Sequence, residues 1–321
     1  MTAKVIVDVA GGPMGGAARF RAELLRYLNR SGREDVHVIG AGRRLDPAWL
    51  LCREAARSAH GRRVALNNVS FVSPGGERWT LVRNSWDFMT HNEASYLTAS
   101  ARATFRHRAA VVRLAARRSD VIIAPSTDLA ERIMRALPSL SDRVVVRMHP
   151  VSADSVPELE RDRVILCPVL FSPHKRMAGR IKEWLDANDD YIDPSHRLIV
   201  TADKSELPAE LACHSRIELV GRLELSELNR LWARSSVIYF PTSVEAFGYP
   251  LAEARVNGQP VIALDSPQNR EIAGPALFGF TAGDHGSLRQ ATKLALNAQI
   301  EPDPAPFDPD SYFRWLLGEP R

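Results

Sequence analysis

Cysteine is scarce in this sequence, and no hydrophobic stretch is long. Cys52, Cys167 and Cys213 lie far apart and form no C-x-x-C pair, which excludes a disulfide framework and a cysteine zinc site and indicates a reducing compartment. No stretch reaches the roughly 20 apolar residues that cross a bilayer, and the apolar run near the start is short and interrupted by Asp8, which is not typical of a signal peptide. We therefore expect a cytoplasmic protein, with a peripheral membrane contact as the alternative.

Lysine is also rare, with 5 residues against 37 arginines, and the net charge of +4 conceals a division along the chain. Residues 1–150 hold 24 Lys and Arg against 13 Asp and Glu, whereas residues 151–321 hold 18 against 25. A net +11 and a net −7 indicate that the two halves face different ligands. Nucleic acid is not expected, because no recognition motif is present and aromatic residues do not alternate with the arginines.

Apolar, β-branched runs alternate with helical patterns along the chain, which predicts an α/β protein with two doubly wound parallel sheets that face one cleft. Predicted strands lie at 5–9, 36–39, 79–82, 121–124, 144–148, 164–169, 198–201, 217–220, 237–240 and 261–264, and predicted helices include 17–29, 99–118 and 311–317. The Pro-containing segment 149–157 lacks apolar periodicity and is interpreted as a linker. We predict domains at 1–150 and 151–305, and a helix within 306–321 that packs back on the first domain.

Two groups of arginines account for much of the basic first half. Arg102, Arg106, Arg113 and Arg117 recur at helical spacing, and Arg53, Arg57, Arg62 and Arg63 precede the predicted strand at 79–82. A solvated helix face explains such a pattern, and so does attraction to an acidic acceptor or to anionic lipid headgroups. Both interpretations remain open at the level of sequence.

A glycine-rich segment follows the first predicted strand. Gly11, Gly12, Gly15 and Gly16 fit neither the dinucleotide-binding pattern nor a P-loop. Glycines before a helix allow the backbone to approach a ligand, and free amides at the helix start favour an anion. The alternative is a simple tight turn.

The strongest local pattern is EAFGYPLAEA, in which Glu245 and Glu253 are separated by seven residues after the strand at 237–240. Pro250 suits the first turn of a helix, so Glu245 is predicted in a loop and Glu253 on the helix. Two carboxylates with the amides of Phe247 and Gly248 between them would bind hydroxyls and an oxyanion, as a sugar nucleotide requires. A solvated pair of glutamates is the alternative.

This Glu-x7-Glu pattern, with the following NGQPVIALD and Glu271, resembles the signature of the retaining family-4 glycosyltransferases of GT-B fold. The segments DVIIAPSTDLAERI and ELVGRLELSELNRLWARSSVIYFPTS are similar to the same family, so the resemblance covers nearly the whole chain. It implies an N-terminal acceptor domain and a C-terminal domain that binds a nucleoside diphosphate sugar. Metal-independent transfer is expected because no metal-binding pattern such as Asp-x-Asp follows a predicted strand. UDP is favoured as the nucleotide, with GDP and dTDP as alternatives, and no cofactor is expected.

The resemblance also implies roles for individual residues. Glu245 would hold the transferred sugar with the amides around Phe247, Gly248 and Tyr249, and Glu253 would hold the ribose. Lys175 would bind the diphosphate, which Gly15 and Gly16 approach, although surface lysine is the alternative. The family's usual diphosphate arginine is replaced by an apolar residue, for which Arg176 or His174 would substitute. Arg222 is placed near the base, and Asn84 and His91, near the missing family histidine, are acceptor candidates.

We therefore predict a retaining glycosyltransferase that acts on a hydroxyl-bearing small molecule, either a natural product or a saccharide. A lipid-linked acceptor is the alternative. A nucleotide-sugar 2-epimerase and a noncatalytic partner subunit that binds sugar nucleotides are rival functions. The sequence does not determine the oligomeric state.

Overall fold

The computed structural model describes residues 5–12, 14–56, 61–95, 97–153, 162–169, 171 and 175–318. The chain divides into two compact units. Unit 1 comprises residues Met1–Val151, Val244–Phe247 and Phe307–Arg321, and unit 2 comprises Ser152–Ser243 and Gly248–Pro306. The four residues 244–247 therefore group with unit 1, although they lie within the predicted range 151–305 of the second domain.

Each unit contains a six-stranded parallel sheet with helices, which confirms the predicted α/β class. The strands of unit 1 are β1 (Val5–Asp8), β2 (Val36–Ile39), β3 (Arg62–Ala65), β4 (Glu77–Leu81), β5 (Val121–Ala124) and β6 (Val144–Val146), in the order β2-β1-β3-β4-β5-β6. The strands of unit 2 are β7 (Asp162–Cys167), β8 (Arg197–Val200), β9 (Ile217–Leu219), β10 (Ser235–Phe240), β11 (Val261–Leu264) and β12 (Leu277–Phe280), in the order β12-β11-β10-β7-β8-β9. In each sheet the strand order changes direction beside the strand that comes first along the chain, β1 in unit 1 and β7 in unit 2. Doubly wound sheets bind ligands at such points.

Most of the helices lie between consecutive parallel strands, and two follow the last strand. Along the chain they are α1 (Gly15–Ser31), α2 (Pro47–Cys52), α3 (His91–Ala94), α4 (Ala99–Ala116), α5 (Thr127–Ala136), α6 (Met177–Asn188), α7 (Ala209–Ala212), α8 (Leu225–Arg234), α9 (Tyr249–Val256), α10 (Pro267–Ala273), α11 (His285–Leu296) and α12 (Pro309–Leu317). Short polar side chains begin several of them, because a side-chain oxygen accepts from an amide that the first turn leaves unbonded. Asp46, Thr98, Ser126, Ser266 and Asp284 act in this way.

The C-terminal helix α12 belongs to unit 1 and packs on α1. Phe20 of α1 lies edge-to-face with Tyr312 and Phe313 of α12, with ring centroids 5.6 Å apart in both pairs. Beyond the helix, Arg33 donates to the carbonyl of Gly318 at 2.7 Å. Phe20 and Phe313 are fully buried, so α12 completes the core of the first unit.

Two strands were not predicted from the sequence, and their residues explain why. β3 begins with Arg62 and Arg63, so it lacks an apolar start. The Arg62 guanidinium lies 3.7 Å from the centre of the Trp79 ring, and Arg63 is fully buried and donates to the Ser73 hydroxyl at 2.9 Å. β12 is an edge strand that contains Gly279, where a Cβ atom would lie 2.9 Å from Cβ of Asp265.

The expectation that the first-half arginines form a solvated face is wrong for Arg53 and Arg63. Arg53 is 2% exposed and Arg63 is 0% exposed, and burial lowers the pKa of Arg63. Arg57 lies outside the described residues. On α4, Arg102 and Arg106 are exposed, and Arg117 is exposed at the C-cap. Arg113 is half-buried and donates to the carbonyl of Asp87, so three of the four arginines are solvated.

Within the described ranges, no helix combines the length and apolar character that crossing a bilayer requires.

Candidate functional site

The glycine segment of unit 1 forms a turn between β1 and α1 that requires glycine. Gly11, Gly12 and Gly15 have φ values of 81°, 58° and 65°, in the left-handed region that other residues adopt at a cost. A Cβ atom on Gly12 would lie 2.2 Å from Cβ of Ala17. The turn leads into a 17-residue helix, whose first amides favour a negatively charged ligand.

A buried ionic network lies next to this turn, at the end of β1. The Asp8 carboxylate, at the end of β1, accepts from Arg53 Nη1 at 2.6 Å, from Asn67 Nδ2 at 2.7 Å and from the Ala10 amide at 3.0 Å. Trp49 Nε1 also donates to Asp8, at 3.1 Å. Asp8 is fully buried, so its charge is balanced by Arg53 and its oxygens are used by neighbouring donors. The network fixes the backbone from which the glycine turn starts.

The segment 244–247, which contains Glu245, lies in unit 1. Ser85 Oγ donates to the carbonyl of Glu245 at 2.6 Å, and Ser126 Oγ donates to the carbonyl of Ala246 at 3.0 Å. Val244 and Ala246 are each 8% exposed, whereas Glu245 between them is half-buried. The buried neighbours and the two hydroxyl groups fix the backbone that carries the Glu245 carboxylate.

Phe247 ends this segment in an aromatic cluster. Its ring centroid is 4.8 Å from that of His149 and 6.2 Å from that of Phe307. Phe20 packs against the same histidine, with centroids 5.1 Å apart. His149 is fully buried, and burial, with a smaller effect from the charge of Arg83, holds its pKa well below the ordinary value. A neutral imidazole therefore anchors Phe247.

The two acceptor candidates differ in their surroundings. Asn84 is half-buried and caps the 3-10 turn Ser85–Phe88, since its side-chain oxygen accepts from the Trp86 amide at 3.0 Å. His91 is exposed at the start of α3. The strand predicted at 79–82 is the third along the sequence, and Asn84 follows it as an acceptor candidate, but this count is wrong because the unpredicted β3 precedes that strand. Arg83 and Asn84 follow β4, and the residues after β3 are Leu66, Asn67 and Asn68.

In unit 2, the residues that follow β7 lead to the start of α6. Lys175 is half-buried and Arg176 is exposed, and Arg176 precedes the helix with φ 53° and ψ 33°. An arginine in this left-handed conformation is uncommon, and such residues occur at functional sites. His174, the other predicted substitute, lies outside the described residues.

A side-chain network that the sequence did not reveal begins one turn into α6. Arg180 donates to Glu183 Oε2 at 2.6 Å and to Ser243 Oγ at 3.3 Å. The second oxygen of Glu183 accepts from the Gly283 amide at 2.5 Å. The network joins α6 to the end of β10 and to the start of α11.

The second half of the Glu-x7-Glu pattern lies in unit 2. Gly248 has φ 81°, and a Cβ atom there would lie 3.0 Å from Leu251 Cδ1 and 3.2 Å from Phe240 Cε1. The turn at Gly248 begins α9 at Tyr249, with Pro250 in its first turn, as predicted. Glu253 is half-buried on this helix and Tyr249 is buried.

Arg222 stands just beyond the end of β9, where Gly221 turns the chain with φ 68°. Arg222 is exposed and pairs with Glu206 Oε1 at 3.4 Å. Glu206 also accepts from the Asp203 amide at 2.9 Å, which orders the segment after β8. Glu206 was not identified from the sequence, because it is 16 residues from its partner.

The structure assigns the predicted site residues to different units. Gly15, Gly16, Asn84, His91, Glu245 and Phe247 belong to unit 1, and Lys175, Arg176, Arg222, Gly248, Tyr249 and Glu253 belong to unit 2. Ser85 and Ser126 were missed because their partners are 160 and 120 residues away. In the part of the chain that the structure describes, no three His, Cys, Asp or Glu side chains are grouped to hold a metal ion.

Comparison with known families identifies one segment of the chain. Residues 163–297 match the model of the family Glycosyl transferases group 1. This segment is therefore similar to the domain of the group 1 glycosyltransferases. The glycosyltransferase class predicted from the sequence is thereby confirmed, while the match does not extend to family 4 or to a retaining mechanism. No curated protein matches the sequence at a significant level.

Solved structures resemble this chain over most of its length. WaaG, a glycosyltransferase involved in lipopolysaccharide biosynthesis, is 14% identical with a TM-score of 0.66, over 92% of this chain and 90% of WaaG. The TarM G117R mutant of S. aureus, in complex with Fondaparinux, alpha-GlcNAc-glycerol and UDP, is 11% identical with a TM-score of 0.59. That alignment covers 83% of this chain and 54% of TarM, so this chain spans about half of TarM.

A putative UDP-N-acetylglucosamine 2-epimerase from Listeria monocytogenes is also similar in fold. It is 11% identical with a TM-score of 0.54, over 96% of this chain and 91% of the epimerase. At such identities these likenesses concern the fold alone. The predicted GT-B fold is confirmed.

Proposed function

We propose that this protein transfers a sugar from a nucleoside diphosphate sugar to a hydroxyl group of a small acceptor, with retention of anomeric configuration. The observation that carries the proposal is the group 1 glycosyltransferase match over residues 163–297, which contains the whole Glu-x7-Glu pattern and Lys175. The ordered backbone around Glu245 and the glycine turn of unit 1 support it. The natural-product or saccharide acceptor inferred from the sequence is retained.

In the proposed reaction, the acceptor oxygen attacks the anomeric carbon on the face from which the diphosphate departs. One C–O bond forms, the bond between the anomeric carbon and the phosphate oxygen breaks, and the acceptor proton passes to an oxygen of the leaving diphosphate. Lys175, with Arg176, stabilises the charge that develops on this leaving group. Glu245 holds the sugar hydroxyls and Glu253 holds the ribose, so no protein nucleophile is required.

UDP is the proposed nucleotide, and the UDP in the TarM complex supports this choice. A thermal-shift panel of UDP-, GDP- and dTDP-sugars tests it, because a ligand at 100 times its Kd stabilises the folded protein by about 2.7 kcal/mol. We expect a UDP-sugar to give the largest increase in Tm. If none of the three classes raises Tm, the donor assignment is wrong.

Glu253→Gln and Glu245→Gln separate the two proposed carboxylate roles. A hydrogen bond to a charged group contributes about 1.5–3 kcal/mol, so Glu253→Gln is expected to weaken binding of UDP itself by roughly tenfold or more. Glu245→Gln is expected to leave UDP binding unchanged and to lower kcat by roughly a hundredfold. Glu210→Gln, an exposed carboxylate on α7, is the matched control. Equal effects of Glu245→Gln and Glu210→Gln would contradict the assignment.

The likeness to an epimerase favours one second candidate function, a nucleotide-sugar 2-epimerase. Incubation with a UDP-sugar alone, followed by NMR of the sugar, separates the two activities. Transfer predicts an unchanged donor until an acceptor is added, whereas epimerisation produces a second sugar without one. The rival hypothesis of a noncatalytic partner subunit predicts donor binding with neither reaction.

The exposed face of α4 supports a peripheral contact with an anionic surface. The 18-residue helix contains no Asp or Glu. Arg102 and Arg106 are exposed along it, and Arg117 is exposed at its C-cap. Val111 and Leu114 are 52% and 66% exposed. Like charges four residues apart destabilise a helix, whereas anionic lipid attracts each basic residue by about 1 kcal/mol. We propose that unit 1 contacts anionic lipid through this helix.

Vesicle flotation tests the lipid contact. We expect binding to vesicles that contain phosphatidylserine and not to neutral vesicles, and loss of binding in the triple variant Arg102→Gln, Arg106→Gln, Arg117→Gln. A control triple variant changes Arg163, Arg197 and Arg234 of unit 2 to Gln, since these arginines are exposed but paired with carboxylates. Equal loss in both variants would show that only overall charge matters.

Metal independence and a cytoplasmic location complete the proposal. Turnover is expected to be unchanged in EDTA, and a loss that a divalent cation restores would contradict this part. Fractionation of cells is expected to place the protein with the cytosol or, at low salt, with the inner face of the membrane.

A further inference from the structure

Two serine hydroxyls bind the backbone of the segment that carries Glu245. Ser85 Oγ lies 2.6 Å from the carbonyl oxygen of Glu245, and Ser126 Oγ lies 3.0 Å from that of Ala246. Both serines are buried, at 2% and 0% exposure. Consecutive carbonyl groups are thus each held by one hydroxyl.

The two serines come from neighbouring places in the sheet of unit 1. Ser85 follows β4 and Ser126 follows β5, and these strands are paired in parallel. The carboxyl ends of parallel strands meet at one edge of the sheet, so the two hydroxyls lie on the edge at which doubly wound sheets bind ligands. The Glu245 segment is therefore fastened to that edge.

The two serines differ in their local roles, so the effects of replacing them can be distinguished. Ser126 caps α5, since its oxygen also accepts from the Leu129 amide at 3.3 Å. The turn at Ser85 is capped by Asn84 instead. The hydroxyl of Ser85 therefore has no helix-capping role, and its bond is made to a residue 160 positions away.

Apolar contacts strengthen the attachment on both sides of Glu245. Val244 packs with Trp86 and Leu97, and Ala246 packs in the core cluster that includes Ala124 and Leu129. Small movements of this backbone would therefore require the loss of packing as well as of two hydrogen bonds. The carboxylate of Glu245 is carried by a rigid support.

We propose that Ser85 and Ser126 are positioning residues for Glu245 in the transfer reaction. They fix the carbonyl groups of Glu245 and Ala246 and so place the carboxylate that contacts the transferred sugar. A displacement of about 1 Å in a reacting group can cost roughly a hundredfold in rate. The inference rests on the proposed function, and it separates sugar positioning in unit 1 from nucleotide binding by Lys175, Arg222 and Glu253 in unit 2.

The test compares Ser85→Ala and Ser126→Ala with the matched control Ser119→Ala. Ser119 is a fully buried serine of unit 1 whose hydroxyl pairs with that of Thr80 at 2.8 Å. We expect each of the first two variants to lower kcat about tenfold and to change the Kd for UDP less than twofold. Ser85→Thr and Ser126→Thr, which keep a hydroxyl, are expected to restore kcat. A decrease in kcat no larger than that of Ser119→Ala would overturn the proposal.

Amide hydrogen exchange supplies a readout that does not depend on turnover. Peptides that contain residues 244–248 are expected to exchange faster in Ser85→Ala than in the parent protein or in Ser119→Ala. Unchanged exchange there overturns the positioning role even if no sugar is transferred. If exchange is faster but the protein neither binds a sugar nucleotide nor transfers a sugar, the proposed function is wrong. The attachment of residues 244–247 by Ser85 is then still supported.

Discussion

Two buried arginines of unit 1 and three exposed arginine pairs of unit 2 have very different surroundings. In unit 1, Arg53 and Arg63 are fully buried, and Arg53 is paired with the equally buried Asp8. In unit 2, the pairs Arg163 with Asp193, Arg197 with Glu218 and Arg270 with Asp265 are all well exposed. Buried pairs are costly to break, whereas exposed pairs contribute little, because solvent screens them and two mobile side chains must be ordered.

The difference changes the meaning of the charge division along the chain. Part of the +11 of residues 1–150 stabilises the interior of unit 1 and is not available to a ligand, while Arg102, Arg106 and Arg117 remain on the surface. The paired arginines of unit 2 add little positive charge to its surface. Donor binding in this acidic half must therefore depend on local groups such as Lys175 and Arg176.

The largest expected effect is that of Arg53→Met. The substitution leaves the Asp8 carboxylate buried without its cation, and such losses cost about 3–5 kcal/mol. The free energy of unfolding in urea measures the effect, and hydrogen exchange shows whether it is confined to unit 1. The control is Arg197→Met, which breaks an exposed pair of unit 2. A similar decrease in unfolding free energy in both variants would show that the buried and exposed pairs do not differ in strength.

His149→Phe is expected to remove part of the acid sensitivity of unit 1. The folded protein holds His149 neutral with a pKa well below 6.5, so below pH 6.5 the unfolded chain binds a proton that the folded chain does not. Stability from this group is complete above pH 6.5 and is lost as the pH falls, by at most about 1.4 kcal/mol for each pH unit. Phenylalanine suits the surrounding rings of Phe20 and Phe247. Urea unfolding at pH 7.5 and 5.5 measures the difference, and parallel losses in parent and variant would contradict it.

A smaller effect is expected for Ser266→Ala in unit 2. Ser266 caps α10 by accepting from the Asn269 amide at 3.2 Å, and loss of such a cap costs about 1 kcal/mol. Ser266→Asp preserves an acceptor and is expected to retain the stability of the parent protein. Hydrogen exchange of peptides from α10 locates the change, which should not reach unit 1.

The smallest effect is expected for Arg270→Met, one residue beyond that capped amide. Arg270 forms two hydrogen bonds of 2.6 Å with Asp265, but both side chains are exposed. The expected loss is smaller than that of Ser266→Ala and decreases in high salt. Urea unfolding with and without 0.5 M NaCl measures it. A loss of unfolding free energy larger than that of Ser266→Ala would contradict the expectation that the exposed arginine pairs of unit 2 contribute little to stability.

Much of the fold could be predicted from residue patterns because the buried strands are rich in β-branched residues. The predicted bounds agree with the structure for β2, β5 and β11. β3 could not be predicted, because it begins with two arginines. Arg62 contacts the Trp79 ring and Arg63 donates to Ser73, and both partners lie outside the strand. Glu245 and Glu253 were found from their spacing. Ser85 and Ser126 were not, because a buried hydroxyl that binds a carbonyl over 100 residues away leaves no local pattern.

The packing of α12 on α1 bears on the order in which the protein is made. A chain that leaves the ribosome has completed all six strands of unit 1 by Val146, yet Phe20 lacks Tyr312 and Phe313 until the last helix has been synthesised. At about 5–20 residues per second, that interval lasts roughly 10–30 seconds. Unit 1 is thus translated before unit 2 and closes its core after it, and nascent chains stalled before α12 would expose an aromatic surface to chaperones.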